Sequence, residues 1–208
     1  MPNWCNNSLQ LTAASKTEAD ELGNFILTYN DGATFDKEKT FFGYFVPETW
    51  HDDDWYMSRV NKWGTKWDAS MHDIHWVDDR TVVMSFDTAW SPPIGVYEAM
   101  VEQGWAVSAT YFEPGMCFVG SWIDGEDEYY EYSQHTSTTV RDFIGAELDD
   151  EWGISQMLAV YEEEEKEYDL QVSGSDPETE GSTEETETKE EFWEDAYQGG
   201  VENWGTKR

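Results

Sequence analysis

Two apolar periods alternate along the first 132 residues, and this alternation limits the folds open to the chain more than any other feature. Leu9 and Leu11 lie two residues apart in the opening stretch 3–13, which is typical of a β-strand with one buried face. Ser15 and Glu18 then form a capping-box pattern before a helix. The apolar stripe of that helix is Leu22, Phe25, Ile26 and Tyr29. The sequence therefore predicts a strand followed by a helix that packs on a sheet.

The same two periods recur further along the chain. "MHDIHWV" and "TVVMSFDTAW" flank "DDR" as one hairpin, and "WAVSATYF" and "MCFVGSWI" flank "EPG" as another. Between them, Ser91 is predicted to cap a helix that Gly104 ends. The buried stripe of this helix is Ile94, Tyr97 and Val101. The order β-α-β-β-α-β-β predicts an α+β fold, a two-layer ferredoxin-like sandwich whose antiparallel sheet carries its helices on one face.

Changes of pattern predict the domain boundaries. Residues 1–132 form the predicted domain, in which about 33–67 have no clear period and are interpreted as an aromatic insertion. Residues 133–170 are predicted to be a helical extension, with a first stripe that could dock on the domain. That stripe is Val140, Phe143, Ile144 and Leu148. Residues 171–208 are acidic and rich in Ser, Thr and Glu, so we expect them to be largely disordered.

The charge of the chain restricts its partners. It has 45 acidic and 12 basic residues, a formal net charge of −33. Residues up to Tyr132 include 23 acidic and 7 basic residues, and the rest include 22 and 5, so the acidity is not confined to the tail. Such a field repels nucleic acid and anionic membranes and attracts basic proteins. Solubility, or adaptation to high salt, is the alternative explanation of the acidity.

Three motifs in the first 132 residues resemble a known family. "MPNWCNNSL", "WGTKWDA" and "FDTAWSPPIGVYEAM", the last followed by "GW", are similar to the YubB-type ferredoxin-like domain family of phage and conjugative-plasmid proteins. The resemblance covers residue 2 to about 132. It implies a ferredoxin-like fold and a protein that acts on a host factor or a host defence. It assigns no catalytic residue, and the two cysteines, Cys5 and Cys117, are too few for a four-thiolate cluster.

The motif WGTK occurs twice, at 63–66 and at 204–207. The first copy is predicted to be a turn between packed tryptophans, in which Gly64 permits the turn and Thr65 bonds locally. The second copy lies in the predicted disordered tail. If the domain has a ligand-binding groove, we expect its lining to be Trp63, Lys66, Trp67, Asp87 and Trp90. Chance similarity is the simplest explanation of the second copy, and mimicry of the first is the alternative.

The best metal-ligand candidates in the sequence are His72 and His75, near Asp73 and the run His51–Asp54. On a regular strand, however, His72 and His75 would point to opposite faces and could not share an ion. We therefore predict no metal and no other cofactor. The chain has no glycine-rich phosphate loop and no G-x-S-x-G motif, which disfavours a hydrolase or a transferase.

The sequence favours a protein without catalytic activity that binds a basic surface on a host protein and inhibits or modulates it. DNA mimicry by the carboxylates is one mechanism. Aromatic residues of the tail would help to bind the partner: Phe192, Trp193, Tyr197 and Trp204.

Two alternatives to this binding function remain open. One is a small-molecule or metal-dependent enzyme that uses the His/Asp cluster and the tryptophan-lined groove. The other is a homo-oligomer whose association is regulated by the tail. With no signal peptide, no apolar stretch long enough to span a membrane and only two cysteines, the expected location is the cytoplasm of the host cell, with both thiols reduced.

Overall fold

The structure, a computed structural model, describes residues 3–29, 40–47 and 55–174. The strands in these ranges are β1 (Trp4–Thr12), β2 (Ser70–Trp76), β3 (Thr81–Ala89), β4 (Ala106–Glu113), β5 (Phe118–Ile123) and β6 (Glu126–Glu131). The helices are α1 (Lys16–Tyr29), α2 (Phe41–Phe45), α3 (Trp55–Trp63), α4 (Ile94–Glu102), α5 (Val140–Ile144), α6 (Ala146–Trp152) and α7 (Ile154–Gly174).

The chain divides into two compact units, Met1–Ala159 and Val160–Arg208. The first unit extends past the predicted domain boundary at residue 132 and includes the first part of the predicted helical extension. Of the second unit, the structure describes only the remainder of α7. The predicted tail contacts at Phe192, Trp193, Tyr197 and Trp204, and the second WGTK, lie outside the described residues.

The six strands form one open sheet in the order β2-β3-β1-β4-β5-β6. Each strand is antiparallel to its neighbours. The fold is therefore α+β, with the two predicted hairpins formed by β2–β3 and β4–β5. Strand β6 was not predicted, because its residues are mostly acidic and exposed and so carry no apolar period. It follows a tight turn at Asp124 and Gly125, whose φ angles are 46° and 105°.

One face of the sheet carries the main core. Leu9 of β1 pairs with Met84 on one side and Ala109 on the other, and all three are buried. Helix α1 covers this face with Ala19, Leu22 and Ile26. Its predicted capping box is present: the Ser15 amide donates to Glu18 Oε2 at 2.9 Å, and the Glu18 amide donates to Ser15 Oγ at 3.3 Å. Helix α4 contributes Val96, Tyr97 and Met100 to the same core. Of its predicted stripe only Tyr97 is fully buried, and Ile94 and Val101 are partly buried against that core.

The described part of the predicted insertion belongs to the core. Helices α2 and α3 bury Phe41, Phe42, Phe45 and Trp63 against the residues of the sheet and of α4. The Asp68 carboxylate accepts hydrogen bonds from the amides of Phe41 and Phe42 at 2.8 and 2.9 Å, which satisfies the start of α2. The missing period is explained by two short helices that bury aromatic rings.

The two helices predicted for the domain, α1 and α4, pack on the same face of the sheet, and the other face is partly covered by the C-terminal extension. Phe112 of β4 and Val119 of β5 project away from the main core and pack with buried residues of the C-terminal helices. Those residues are Val140, Ile144, Leu148 and Ile154. Gly145, with φ 90°, divides the predicted single stripe into α5 and α6. The stripe does dock on the sheet, on the face opposite α1.

Candidate functional site

The turn that holds the first WGTK is fixed by its own residues. Trp63 is fully buried and meets Phe42 edge-on, with ring centroids 5.4 Å apart. Gly64 has φ 87°, and a Cβ there would lie 3.1 Å from the Pro92 carbonyl oxygen. A side chain at this position would therefore be both strained and crowded. The structure supports the turn predicted for this motif.

The prediction that Thr65 bonds locally is wrong: its hydroxyl attaches this turn to the end of strand β3, at Ala89. Its buried hydroxyl donates to the Ala89 carbonyl oxygen at 2.9 Å and lies 3.1 Å from the Ala89 amide, which donates to it. Strand β2 begins at Ser70, opposite Asp87, so Ala89 lies beyond the end of that strand. The Thr65 hydroxyl makes the hydrogen bonds to the Ala89 backbone that a neighbouring strand would otherwise make.

The residues after β3 are held in an unusual conformation. Trp90 has φ 69°, which is rare for a bulky side chain and costs on the order of 1–3 kcal/mol. Its amide donates to the Asn3 carbonyl oxygen at 2.9 Å. The Ser91 hydroxyl donates to the Gly64 carbonyl oxygen at 2.5 Å, and Pro93 is the N-cap of α4. The prediction that Ser91 caps α4 is therefore wrong: its hydroxyl holds the WGTK turn instead.

Lys66 lies among aromatic rings. Its ammonium nitrogen is 4.9 Å from the ring centroid of Trp67, 5.2 Å from that of Trp90 and 5.5 Å from that of Tyr56. These distances are within the range of cation–π attraction. Trp4 of β1 adds a fourth ring, 5.8 Å from the ring of Trp67. We refer to Trp4, Tyr56, Lys66, Trp67 and Trp90 as the Lys66 cluster.

The Lys66 cluster is open to solvent. Trp4, Tyr56 and Trp90 are 42%, 38% and 43% exposed, and Lys66 and Trp67 are half-buried. Large aromatic rings this exposed, gathered around a single cation, are typical of a contact surface rather than of a core.

A chain of polar side chains lies on the sheet face that Trp4 shares with Asn6. The Asn6 amide donates to Asp87 Oδ1 at 2.6 Å, and His72 Nε2 lies 2.6 Å from Asp87 Oδ2. Trp4 and Asn6 are two residues apart on β1 and so point to the same face. The Lys66 cluster therefore adjoins the hydrogen-bonded chain Asn6–Asp87–His72.

A β-bulge changes the predicted directions of the histidines. The register of β2 on β3 shifts between Met71 and Asp73, so that His72 has no partner and Asp73 and His75 pair with Ser85 and Val83. His72, Asp73 and His75 consequently share one face, and the prediction that His72 and His75 point to opposite faces is wrong. His75 Nδ1 lies 3.4 Å from Asp73 Oδ2, whereas His72 contacts Asp87. No three His, Cys, Asp or Glu side chains among the described residues are placed to share a metal ion.

The structure brings together three of the five residues predicted to line a groove: Lys66, Trp67 and Trp90. Asp87 lies beside them on the sheet face that Trp4 and Asn6 share. Trp63 is buried in the core and lines no surface. Sequence reasoning missed Trp4, Asn6 and Tyr56. A signal was present for Trp4 and Asn6, because they alternate with the buried positions of β1 and so had to point to the other face. Tyr56 lies in the segment without a clear period, which gave no such signal.

A second cationic site lies in the C-terminal helices. Arg141 contacts Asp149 at 2.9 Å and Asp150 at 2.5 Å. Asp149 also accepts hydrogen bonds from the Ser155 amide and hydroxyl, at 2.7 and 2.8 Å. Burial by itself raises the pKa of Asp149, but the bonds from Ser155 and Arg141 together bring it below its usual value.

The remaining buried ionisable groups serve the structure. Burial raises the pKa of the Cys5 and Cys117 thiols, and both thiols are free. Glu113 is fully buried and accepts hydrogen bonds from the amides of Gly115 and Met116, at 3.0 and 2.5 Å. Burial raises the pKa of Glu113 although these two bonds oppose the shift. The Glu113 carboxylate thereby holds the turn between β4 and β5.

No helix within the described ranges is both long enough and apolar enough to cross a membrane. Comparison of the chain with protein-family models, with curated proteins and with solved structures finds no match in any of the three.

Proposed function

We propose that the chain is a binding protein, encoded by a phage or a plasmid, that engages a basic surface on a host protein and inhibits or modulates it. The observation that carries this proposal is the charge imbalance: the chain has 45 acidic side chains and only 12 basic ones. Even if every Lys and Arg paired with one carboxylate, 33 carboxylates would have no such partner within the chain. A basic surface is the partner that this excess favours.

A row of acidic side chains in the first unit is exposed along one strand. Glu126, Asp127, Glu128 and Glu131 are exposed along β6, which is the last strand of the sheet. Glu126 and Glu128 share one face and stand roughly 6–7 Å apart along the strand. Any regular strand gives this spacing, so it is the row of exposed charges along β6, rather than the distance, that supports DNA mimicry as the mechanism.

The second unit carries its own exposed carboxylates on α7. They are Glu163, Glu164, Glu167 and Asp169. Exposed acidic side chains are therefore present in each unit, and each set by itself attracts a basic partner.

We also propose that the first unit is a YubB-type domain with a ferredoxin-like arrangement. The order β2-β3-β1-β4 supports this, because β1 lies between β3 and β4 while each crossover passes over one strand. The three motifs of the resemblance lie in β1, in the WGTK turn and in the segment from β3 to α4. These segments are adjacent around Trp90, whose backbone amide donates a hydrogen bond to the Asn3 carbonyl oxygen.

The test of the basic partner begins with capture from a lysate of the host cell, using the full chain as bait. The captured protein is then purified, and its affinity is measured from about 0.05 to 0.5 M salt with duplex DNA as a competitor. We expect the affinity to fall steeply as salt rises, and duplex DNA to compete. A partner whose contact surface is not basic, or an affinity that does not change with salt, would contradict the proposal.

A triple variant locates the acidic surface. Glu126→Gln, Asp127→Asn and Glu128→Gln together remove three charges from β6 and preserve the shape of its side chains. The matched control neutralises three exposed carboxylates, Glu21 of α1 and Glu98 and Glu102 of α4, in the same way and with the same change in net charge. DNA mimicry at β6 predicts a clearly greater loss of affinity for the β6 variant than for the control. Equal losses would show that only net charge matters.

A second candidate function, catalysis on a small molecule, is favoured by the contact between His72 and Asp87 beside the Lys66 cluster. A carboxylate that holds an imidazole is a common arrangement in general acid–base catalysis. Metal analysis of the purified protein and a screen of hydrolytic substrates test this function. Turnover that is lost in His72→Gln would support it, and activity unchanged by that substitution would exclude His72 from the chemistry.

A further inference from the structure

Lys66 differs from Lys16 and Arg141, whose carboxylate partners the structure describes, in what surrounds it. Lys16 contacts Asp20, and Arg141 contacts two carboxylates. The ion pairs formed by the described residues do not include Lys66, although the chain has 45 acidic residues. Three aromatic rings surround its ammonium group instead. Rings attract the charge but accept none of the three N–H bonds as a carboxylate would.

The surrounding surface is suited to a flat, apolar ligand group. Trp4 and Trp90 each leave about two-fifths of their surface exposed, at 42% and 43%. Exposed indole faces stack on other aromatic rings, and such contacts add to the free energy of apolar burial. An anionic group bound at Lys66 would bring an attached ring against these faces.

The cluster is held rigidly before any ligand arrives. Trp90 is kept at φ 69° by the bond of its amide to Asn3, and the bond from Ser91 to Gly64 fixes the turn that carries Lys66. Backbone strain of this kind is found most often where a side chain must be presented for function. Here it places the Trp90 indole beside the Lys66 ammonium group. Rigid presentation reduces the entropy cost of binding.

We infer that the Lys66 cluster is a binding site for a small aromatic carboxylate. The carboxylate would accept hydrogen bonds from the Lys66 ammonium group, and the aromatic ring would stack on the indoles of Trp4 and Trp90. A cationic ligand is disfavoured by Lys66 itself, and a polyanion such as nucleic acid is repelled by the net charge of −33. This site is independent of the proposed basic partner, because it depends on a cation and aromatic rings rather than on acidic side chains.

The probe is indole-3-acetate, titrated into the isotopically labelled full-length chain while the indole N–H resonances are followed by NMR. Tryptamine has the same ring with a positive charge, and acetate has the carboxylate without a ring. We expect saturable shifts in a subset of the indole resonances with indole-3-acetate, and at least about tenfold weaker binding of tryptamine and acetate. Assignment by Trp4→Phe and Trp90→Phe should show that the shifted resonances belong to the cluster.

Two lysine variants with the same change in net charge separate the site from the overall field. Lys66→Met should weaken binding of indole-3-acetate at least about tenfold. Lys16→Met, on the surface of α1, should leave the affinity unchanged, and Lys66→Arg should retain most of it. The indole spectrum of each variant without ligand shows whether the fold is intact.

Three results would overturn the inference. The first is the absence of saturable binding up to about 10 mM, a range in which weak ligands with Kd near 1 mM are readily detected. The second is binding of tryptamine that is as tight as that of indole-3-acetate. The third is an equal affinity of the Lys66→Met and Lys16→Met variants for indole-3-acetate. None of these results depends on the basic partner, so the proposed function would stand or fall separately.

Discussion

Lys66 and Arg141 show two ways in which an acidic chain surrounds a cation. Arg141 lies between Asp149 and Asp150, so its charge is neutralised within the fold. Lys66 lies among Tyr56, Trp67 and Trp90, which attract its charge without neutralising it. The first arrangement stabilises a local helical structure. The second leaves hydrogen-bond donors unused on an exposed surface.

If Lys66 binds the proposed aromatic carboxylate, the two cations have different uses. With 45 carboxylates in the chain, a carboxylate partner for Lys66 would be easy to supply. The chain instead surrounds Lys66 with large rings and supports them with a strained backbone at Trp90. Removal of a structural cation is expected to lower the stability of the protein, whereas removal of a ligand-binding cation is expected to lower its affinity for the ligand. Substitutions test this distinction, beginning with the buried residues that hold the turn carrying Lys66.

The largest effect is expected for Trp63→Ala, which removes the buried ring before the turn that carries Lys66. Truncation of a fully buried large aromatic side chain costs about 3–5 kcal/mol of unfolding free energy. Urea denaturation followed by circular dichroism measures the loss. Trp55→Ala, at a side chain that is 45% exposed, is the control and should cost clearly less. Equal losses would contradict the placement of Trp63 in the core.

Thr65→Val tests the attachment of the turn to β3. Valine preserves the shape but leaves the buried backbone groups of Ala89 without the hydroxyl that bonds them, at a cost of about 1–3 kcal/mol. Thr65→Ser retains the hydroxyl and should recover most of the stability. The same denaturation experiment measures both variants. A valine variant as stable as the serine variant would show that the two hydrogen bonds contribute little.

Arg141→Met tests the ion pair of Arg141 with Asp149 through the pH dependence of the free energy of unfolding. The pKa of Asp149 in the folded chain lies below its ordinary value of 3.8, so its stabilising contribution is complete above about pH 4 and is lost as the pH falls through the folded pKa. Without Arg141 the folded pKa rises toward the ordinary value. The difference in stability between wild type and variant should therefore be greatest near neutral pH and should decrease below about pH 4.

Denaturation curves at a series of pH values measure this difference. Lys16→Met removes an exposed lysine of α1 and is the control for loss of one positive charge. A constant difference between wild type and Arg141→Met from neutral to acid pH would show that the ion pair does not set the pKa of Asp149.

The smallest effect on stability is expected for Lys66→Met. Cation–π contacts at exposed sites contribute about 0.5–1 kcal/mol, and methionine retains most of the apolar packing. The same variant should lose at least about tenfold in affinity for indole-3-acetate. A large loss of stability, with no change in affinity, would make Lys66 a structural cation like Arg141.

Much of the fold could be predicted because apolar periods report which side of an element is buried. Leu9, Leu11 and the stripe of α1 indicated the first strand and helix, and the two hairpins after residue 70 were found in the same way. The apolar period gave no prediction where the buried residues are not regularly spaced. The helices around Phe41 and Trp63 bury aromatic rings over very short spans, and β6 is too exposed and acidic to show an alternation.

The candidate site was predictable only in part. Lys66, Trp67 and Trp90 are in motifs that stand out in the sequence, but Trp4 and Asn6 join them only through strand pairing. The directions of His72 and His75 could not be read from the sequence, because one bulged residue reverses the alternation of the strand. A bulge depends on the pairing of two strands and leaves no reliable local signal.

The sequence by itself determined the charge imbalance, the alternation of strands and helices, and the turn at Gly64, since these depend on composition and on neighbours along the chain. Only the tertiary structure decided that the Ser91 hydroxyl holds this turn, that the C-terminal helices cover the second face of the sheet, and that four aromatic rings gather at Lys66. These features join residues that are far apart in the chain. Their positions follow from strand register and from packing over the whole unit, which no local pattern specifies.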